Sequence, residues 1–164
     1  SSKGAIFNYE EFKQDLTKAK KVLYLGDNAG EVLFDRVLIE ELKNEVIYAV
    51  RGEPIINDAL VEDALACGID RCAQIVSSGC NSPGTVLKYC SQEFIDIYKE
   101  ADLIISKGQG NFEALTQEKR PIYFLFKVKC PVVAENIGCE LGSIVLKELK
   151  EGEKNHATMQ DSRK

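Results

Sequence analysis

The stretch Leu23-Tyr-Leu-Gly-Asp-Asn-Ala-Gly-Glu31 limits the possible folds more than any other part of the sequence. Val22 to Leu25 form a short apolar run suited to a buried strand. The run stops at Gly26-Asp27-Asn28-Ala29-Gly30, and an amphipathic helical pattern follows almost at once. A carboxylate and an amide therefore stand side by side at the C-terminal end of a strand and the N-terminus of a helix. Hard cations take oxygen ligands of this kind, and helix N-termini attract phosphate oxygens. In an open α/β sheet, ligands bind in the crevice beyond the strand C-termini.

The same alternation runs through the chain. Helical patterns over Asn8–Leu16, Gly30–Asn44, Ala59–Cys67 and Ser91–Glu100 separate strands at Lys21–Leu25, Glu45–Val50, Ala73–Ser77 and Asp102–Ser106. A helix from near Phe112 leads to a strand at Ile122–Phe126, and Val132–Ala134 reads as a short sixth strand. The last helix is expected from Leu141 to Lys150. In the second helix, Val32, Leu33, Val37, Leu38 and Leu42 form the expected apolar stripe, with Asp35 and Arg36 turned away. The pattern predicts an α/β fold: a three-layer α/β/α sandwich around a mostly parallel, Rossmann-like sheet. Residues 1–150 form the expected single domain, and 151–164 a polar tail that includes His156.

At 164 residues, 45% hydrophobic and 29% charged, the chain has the makeup of a globular domain with its own core. A net charge of -5 argues against a general nucleic-acid surface. No apolar run approaches the roughly 20 residues of a membrane span, and the N-terminus lacks a signal-peptide core, so a cytoplasmic location is expected. Cys67, Cys72, Cys80, Cys90, Cys130 and Cys139 are widely spaced and form no C-x-x-C pair. They read as reduced, mostly buried small residues rather than a disulfide framework or zinc ribbon. Nothing in the sequence marks an oligomeric interface.

Polar, Gly-flanked clusters follow four of the strands: Gly26-Asp27-Asn28, Arg51 through Asp58, Lys107-Gly108-Gln109-Gly110-Asn111 and Lys127-Val128-Lys129. In a parallel sheet these ends share one edge. Convergence there would supply two carboxylates and an amide for a metal, lysines for an anion, and exposed N–H groups. Chemistry on a phosphate ester needs these parts. Singly, each has a plain alternative: Asp27, Asn28 and Asp58 can cap helices, Gly108 and Gly110 can serve a turn, and the lysines can decorate a solvated strand end. The joint pattern weighs more. No G-x-S-x-G elbow, Walker motif or G-x-G-x-x-G fingerprint is present, and the lone histidine lies in the tail.

These motifs resemble the damage-control phosphatases, a metal-dependent family long called domain of unknown function 89. The matching pieces are Gly26-Asp-Asn-Ala-Gly-Glu31, Arg51-Gly-Glu-Pro-Ile-Ile-Asn-Asp58, Ser106-Lys-Gly-Gln-Gly-Asn-Phe-Glu113 and Phe126-Lys-Val-Lys-Cys-Pro131, in the family's order. The Lys129-Cys130-Pro131 version is similar to the prokaryotic-type branch. The resemblance implies hydrolysis of small phosphomonoesters with one divalent ion, Mn, Mg, Co or Ni. Asp27, Asn28 and Asp58 would hold that metal, and Asp27, Asp58 and Lys129 would carry the chemistry. Glu31, Arg51, Lys107, Gln109, Gly110 and Asn111 would face the substrate, and Lys129 would bind its phosphate. The partner implied is a small phosphorylated metabolite, neither nucleic acid nor membrane. Family members usually have a helical segment ahead of this core, where only residues 1–20 precede the first strand here. Two other functions fit the same crevice, a non-enzymatic phosphometabolite-binding domain and a methyltransferase. Arg51-Gly52 stands where the latter's acidic ribose-binding residue would be expected.

Overall fold

The computed structural model describes residues 6–149, so the tail from 151 onward lies outside the described residues. The elements in order are β1 (Ile6–Phe7), α1 (Tyr9–Lys18), β2 (Lys21–Leu25), α2 (Val32–Glu41), β3 (Glu45–Val50), α3 (Val61–Ala66) and β4 (Gln74–Ser77). They continue as α4 (Gln92–Glu100), β5 (Leu103–Lys107), α5 (Gln109–Leu115), β6 (Tyr123–Lys127), α6 (Pro131–Ile137) and β7 (Ile144–Glu148). All seven strands join one sheet in the order β1-β7-β6-β5-β2-β3-β4. Strands β2 to β6 run parallel, while β7 pairs antiparallel with β6 and parallel with β1.

Side-chain alternation along β2 explains the three layers. Leu23 and Leu25 point to one face, where they pack with Phe94 of α4, Phe112 of α5 and Val133 of α6. Val22 and Tyr24 point to the other, with Phe12 of α1, Val32 of α2 and Ala64 of α3. Both faces of the central strand are closed, so its residues read as one apolar run. Each large side chain buried here contributes roughly 1.5–3 kcal/mol.

Two of the expected elements differ. Val132–Ala134 is part of helix α6, not a strand, because Pro131 occupies the first helical position, where its fixed φ and missing N–H favour helix initiation. The segment from Leu141 holds strand β7 rather than a helix: Ile144–Glu148 pair residue for residue with Lys127–Tyr123. Asn8 precedes α1 without capping it, and its side-chain oxygen accepts from the Glu148 amide instead. In α2 the buried face is Val32, Asp35 and Ile39, while Leu33, Phe34 and Val37 are exposed. All six cysteines are free; Cys80 is buried and the other five are half-buried, fewer buried than expected.

The chain lays down β2, β3 and β4 in one direction, then returns to place β5 and β6 on the other side of β2. The order therefore reverses between β2 and β5. The crevice opens beyond their C-terminal ends, where the loops diverge.

Candidate active site

At that reversal, two loops are zipped together. The Ala29 amide donates to the Asn57 carbonyl at 2.8 Å, and the Ala59 amide donates to the Asp27 carbonyl at 2.7 Å. Asn28 and Asp58 form an isolated antiparallel bridge. The loop after β2 and the Arg51–Asp58 loop thus bring Asp27, Asn28 and Asp58 to one spot. The Asn28 side-chain oxygen also caps the short helical turn at Ala29–Glu31 by accepting from the Gly30 amide at 2.7 Å.

Behind the carboxylates lies the Arg51 guanidinium, 2% exposed. Its Nε donates to Asp58 Oδ2 at 2.8 Å, its Nη1 to Thr85 Oγ1 at 3.0 Å and its Nη2 to Asn111 Oδ1 at 3.0 Å. Asp27 Oδ1 is 3.9 Å from Nη2, too far for a hydrogen bond. Asn111 completes the hub: its oxygen accepts from the Thr85 amide and hydroxyl, and its amide nitrogen donates to the carbonyls of Gly26 and Lys107. Arg51 and Asn111, expected to touch substrate, are buried and fully engaged behind the site. They brace it. Thr85 was not anticipated from the sequence, where the loop Ser82-Pro-Gly-Thr85 carries only a turn signal. Gly84, at φ +76, lets that loop reach the hub: a Cβ there would lie 2.3 Å from the Gly110 carbonyl oxygen.

On the open side, Asp27, Glu31, Lys107, Gln109, Lys127 and Lys129 line a cleft of about 340 Å³, with Leu125, Phe126 and Ile144 supplying an apolar wall. The Gln109 side-chain oxygen accepts from the Lys129 amide at 2.8 Å, which ties the loop after β6 to the start of α5. Val128 is buried, so alternation turns Lys127 and Lys129 to the same, exposed side. A larger hollow of about 500 Å³ lies at the opposite sheet edge, beside α1 and the N-terminal ends of β5 and β6. Its Asp102 carboxylate is already taken by the Lys20 and Lys21 amides.

Burial, and then the neighbouring Asp58 charge, push the Asp27 carboxyl up to about 6 despite Arg51. The folded chain therefore binds this proton more tightly than the unfolded chain, so ionisation of Asp27 works against folding. Stability from this group is full below pH about 4 and is lost as pH rises through about 6. Relative to Asp27→Asn, the metal-free wild-type protein is expected to lose about 2 kcal/mol between pH 4 and 7, allowing for partial exposure. Urea unfolding of both proteins at the two pH values checks this.

The donor set suits a hard divalent cation. Asp27 accepts no hydrogen bond through its carboxylate among the described residues, Asp58 keeps one oxygen clear of Arg51, and Asn28 retains a lone pair. Among the described residues no group of three or more His, Cys, Asp or Glu is placed to hold a metal ion; Asp27 and Asp58 with the Asn28 amide are the donors that the two loops bring together. A cation held by these three groups would keep coordination positions open to water or substrate.

The family model for the damage-control phosphatase ARMT1-like domain matches residues 2–145. The chain belongs to that family. Among its relatives, a damage-control phosphatase of Pyrococcus horikoshii is 40% identical over 145 residues, covering 85% of this chain and 50% of that protein. A damage-control phosphatase of Archaeoglobus fulgidus is 38% identical over 149 residues, covering 88% and 51%. An uncharacterised protein of Methanocaldococcus jannaschii is 48% identical over 134 residues, covering 77% and 44%. The crystal structure of a DUF89 family protein from Pyrococcus horikoshii superposes with a TM-score of 0.83 at 40% identity, covering 88% of this chain and 53% of that one. The chain spans about half the length of the curated relatives it matches.

Proposed function

We propose that this cleft is the active site of a metal-dependent phosphatase that hydrolyses small phosphomonoesters: sugar phosphates, phosphopantetheine-like compounds or damaged phosphometabolites. One observation carries the reading. Two undercompensated carboxylates and an amide, pinned together by the bridge between Asn28 and Asp58, adjoin a cleft lined by three lysines. A lone acidic pair repels a phosphate, and lysines alone bind one without activating it; only the combination favours turnover.

Asp27, Asn28 and Asp58 would hold one divalent ion, Mn, Mg, Co or Ni. That ion would polarise a phosphoryl oxygen and make water a better nucleophile. Lys129 and Lys107 would offset charge on the phosphoryl oxygens, with Glu31 at the rim and N–H groups of the Gln109-Gly110 turn nearby. Arg51 and Asn111 fix Asp58 and the turn after β5 from behind, so the donors need not reorganise during reaction. A cytoplasmic location belongs to the same reading and is supported by six free thiols. No helix among the described residues is long and apolar enough to cross a membrane.

Gly108 tests the arrangement sharply. Its φ is +86, and a Cβ there would lie 2.0 Å from Asp27 Oδ2. Gly108→Ala is expected to displace the Asp27 carboxylate, cutting metal-dependent turnover by about 100-fold. Backbone strain should cost roughly 1–3 kcal/mol, since φ +86 with ψ 154 is essentially a glycine-only conformation. Paired kinetics and thermal melts measure the two effects.

The test of function is phosphate release from p-nitrophenyl phosphate and a phosphometabolite panel, after chelation and separate return of Mg, Mn, Co and Ni. Turnover restored by metal is the expected result. Saturable phosphate binding without turnover under any metal would make this a binding domain.

A further inference from the structure

We propose that Asp35 is a positioning residue that holds the Lys107 ammonium at the cleft and away from the Asp27 carboxylate; this rests on the phosphatase reading above. Asp35 belongs to α2 and is 1% exposed. The Tyr24 hydroxyl donates to its Oδ1 at 2.7 Å, the Tyr48 hydroxyl to its Oδ2 at 2.7 Å, and Lys107 Nζ to Oδ1 at 2.9 Å. The tyrosine rings stack with centroids 5.4 Å apart, so their hydroxyls are held side by side beneath the carboxylate. Neither carboxylate oxygen is left without a donor.

A packing role does not require this arrangement. Replacing a buried ionic cluster by apolar side chains of similar volume is often neutral or stabilising, so stability alone does not account for the cluster. Its outlet is Lys107, whose side chain is 14% exposed and whose Nζ also lies 3.3 Å from Glu31 Oε2. Burial alone would drive this ammonium toward neutrality; Asp35 and then Glu31 overcome that and leave its pKa above the usual lysine value. Lys107 lines the same cleft as Asp27, Lys127 and Lys129, and the adjoining Gly108 packs against the Asp27 carboxylate. Among the described residues Lys107 nevertheless pairs with Asp35 and Glu31 and not with Asp27. Released from Asp35, Lys107 would keep only the half-exposed Glu31, at 3.3 Å, with Asp27 the other carboxylate lining the same cleft. An ammonium drawn across to Asp27 would occupy the place of the divalent ion and vacate its place beside the substrate phosphate.

The expected signature is a rescue. Mn binding is followed by electron paramagnetic resonance, alongside kcat and KM for p-nitrophenyl phosphate. Asp35→Asn should weaken Mn binding and lower kcat/KM by about 10-fold each. Adding Lys107→Met to Asp35→Asn should return Mn affinity to within about 2-fold of wild type, while kcat/KM stays at the value of Lys107→Met alone. Simple structural damage by Asp35→Asn would not be repaired by deleting a lysine. Tyr48→Phe keeps the charge and loses one strut, so it should show a smaller drop with the same rescue, and it serves if Asp35→Asn does not fold. Mn affinity and kinetics unchanged in Asp35→Asn, or lost affinity that Lys107→Met fails to restore, would overturn the role of Asp35 and leave the phosphatase reading standing. A wild-type protein that neither binds Mn nor hydrolyses the ester would overturn both.

Discussion

Asp27→Ala is expected to abolish metal binding and to reduce metal-dependent phosphomonoester hydrolysis by at least about 1,000-fold, with the fold intact. The size follows from what the residue supplies. Asp27 is the carboxylate whose oxygens are least engaged by the protein, with only Arg51 at 3.9 Å, and it faces the lysine-lined cleft. Without it a cation would have one carboxylate and one amide, too few strong ligands for hard-ion affinity. Loss of the ion forfeits several kcal/mol of transition-state stabilisation. The fold should not suffer. Asp27 ionises reluctantly, its carboxyl pushed up to about 6, so removing it relieves a repulsion with Asp58. At pH 7 the metal-free variant should melt at or slightly above the wild-type temperature. Calorimetric Mn titration, turnover and thermal melting together check this. Full activity in the variant would remove the proposed metal site.

Arg51→Met should have the largest effect on stability, about 3–5 kcal/mol. Three side chains depend on the guanidinium: Asp58, Thr85 and Asn111. Taking it away leaves a carboxylate near a second carboxylate with no counter-charge, and deprives a buried amide oxygen of one donor. At roughly 2–4 °C per kcal/mol for a chain of this size, the melting temperature should fall by about 6–20 °C. Mn should recover part of the loss, since a cation between Asp27 and Asp58 restores the missing charge. Arg51→Lys should recover little, because one ammonium cannot reach three acceptors arranged around a planar fork. A melting temperature within a degree or two of wild type would show that the hub carries little energy.

Much of the framework was legible. The five strands from Lys21 to Lys127 lie within a residue or so of their expected positions, because each is a short apolar run ended by Gly or a polar cluster. The clusters after them do converge, because parallel strands send every such end to one edge. The misreadings share a cause. Val132-Val-Ala134 and Ile144-Val-Leu146 are short apolar runs, and local pattern alone does not separate strand from helix at that length. β7 exists because β6 offers it an edge, a long-range fact. The α2 stripe held in part: Val32, Leu38 and Leu42 pack against the core, whereas Leu33 and Val37 are exposed and Asp35 turns inward to accept from the Tyr24 and Tyr48 hydroxyls. In the same way, the sequence sets Arg51 in a loop after a strand, where it was expected to face the substrate. Only the assembled loops show that Thr85 and Asn111 enclose it.

The most direct test of the central claim is a crystal structure of the protein soaked in Mn and inorganic phosphate, with the metal located by anomalous scattering. One strong peak is expected within about 2.0–2.6 Å of oxygens from Asp27, Asn28 and Asp58, with phosphate density reaching from it toward Lys129. A peak seated elsewhere, or phosphate bound among the lysines with no metal at the two carboxylates, would contradict that claim.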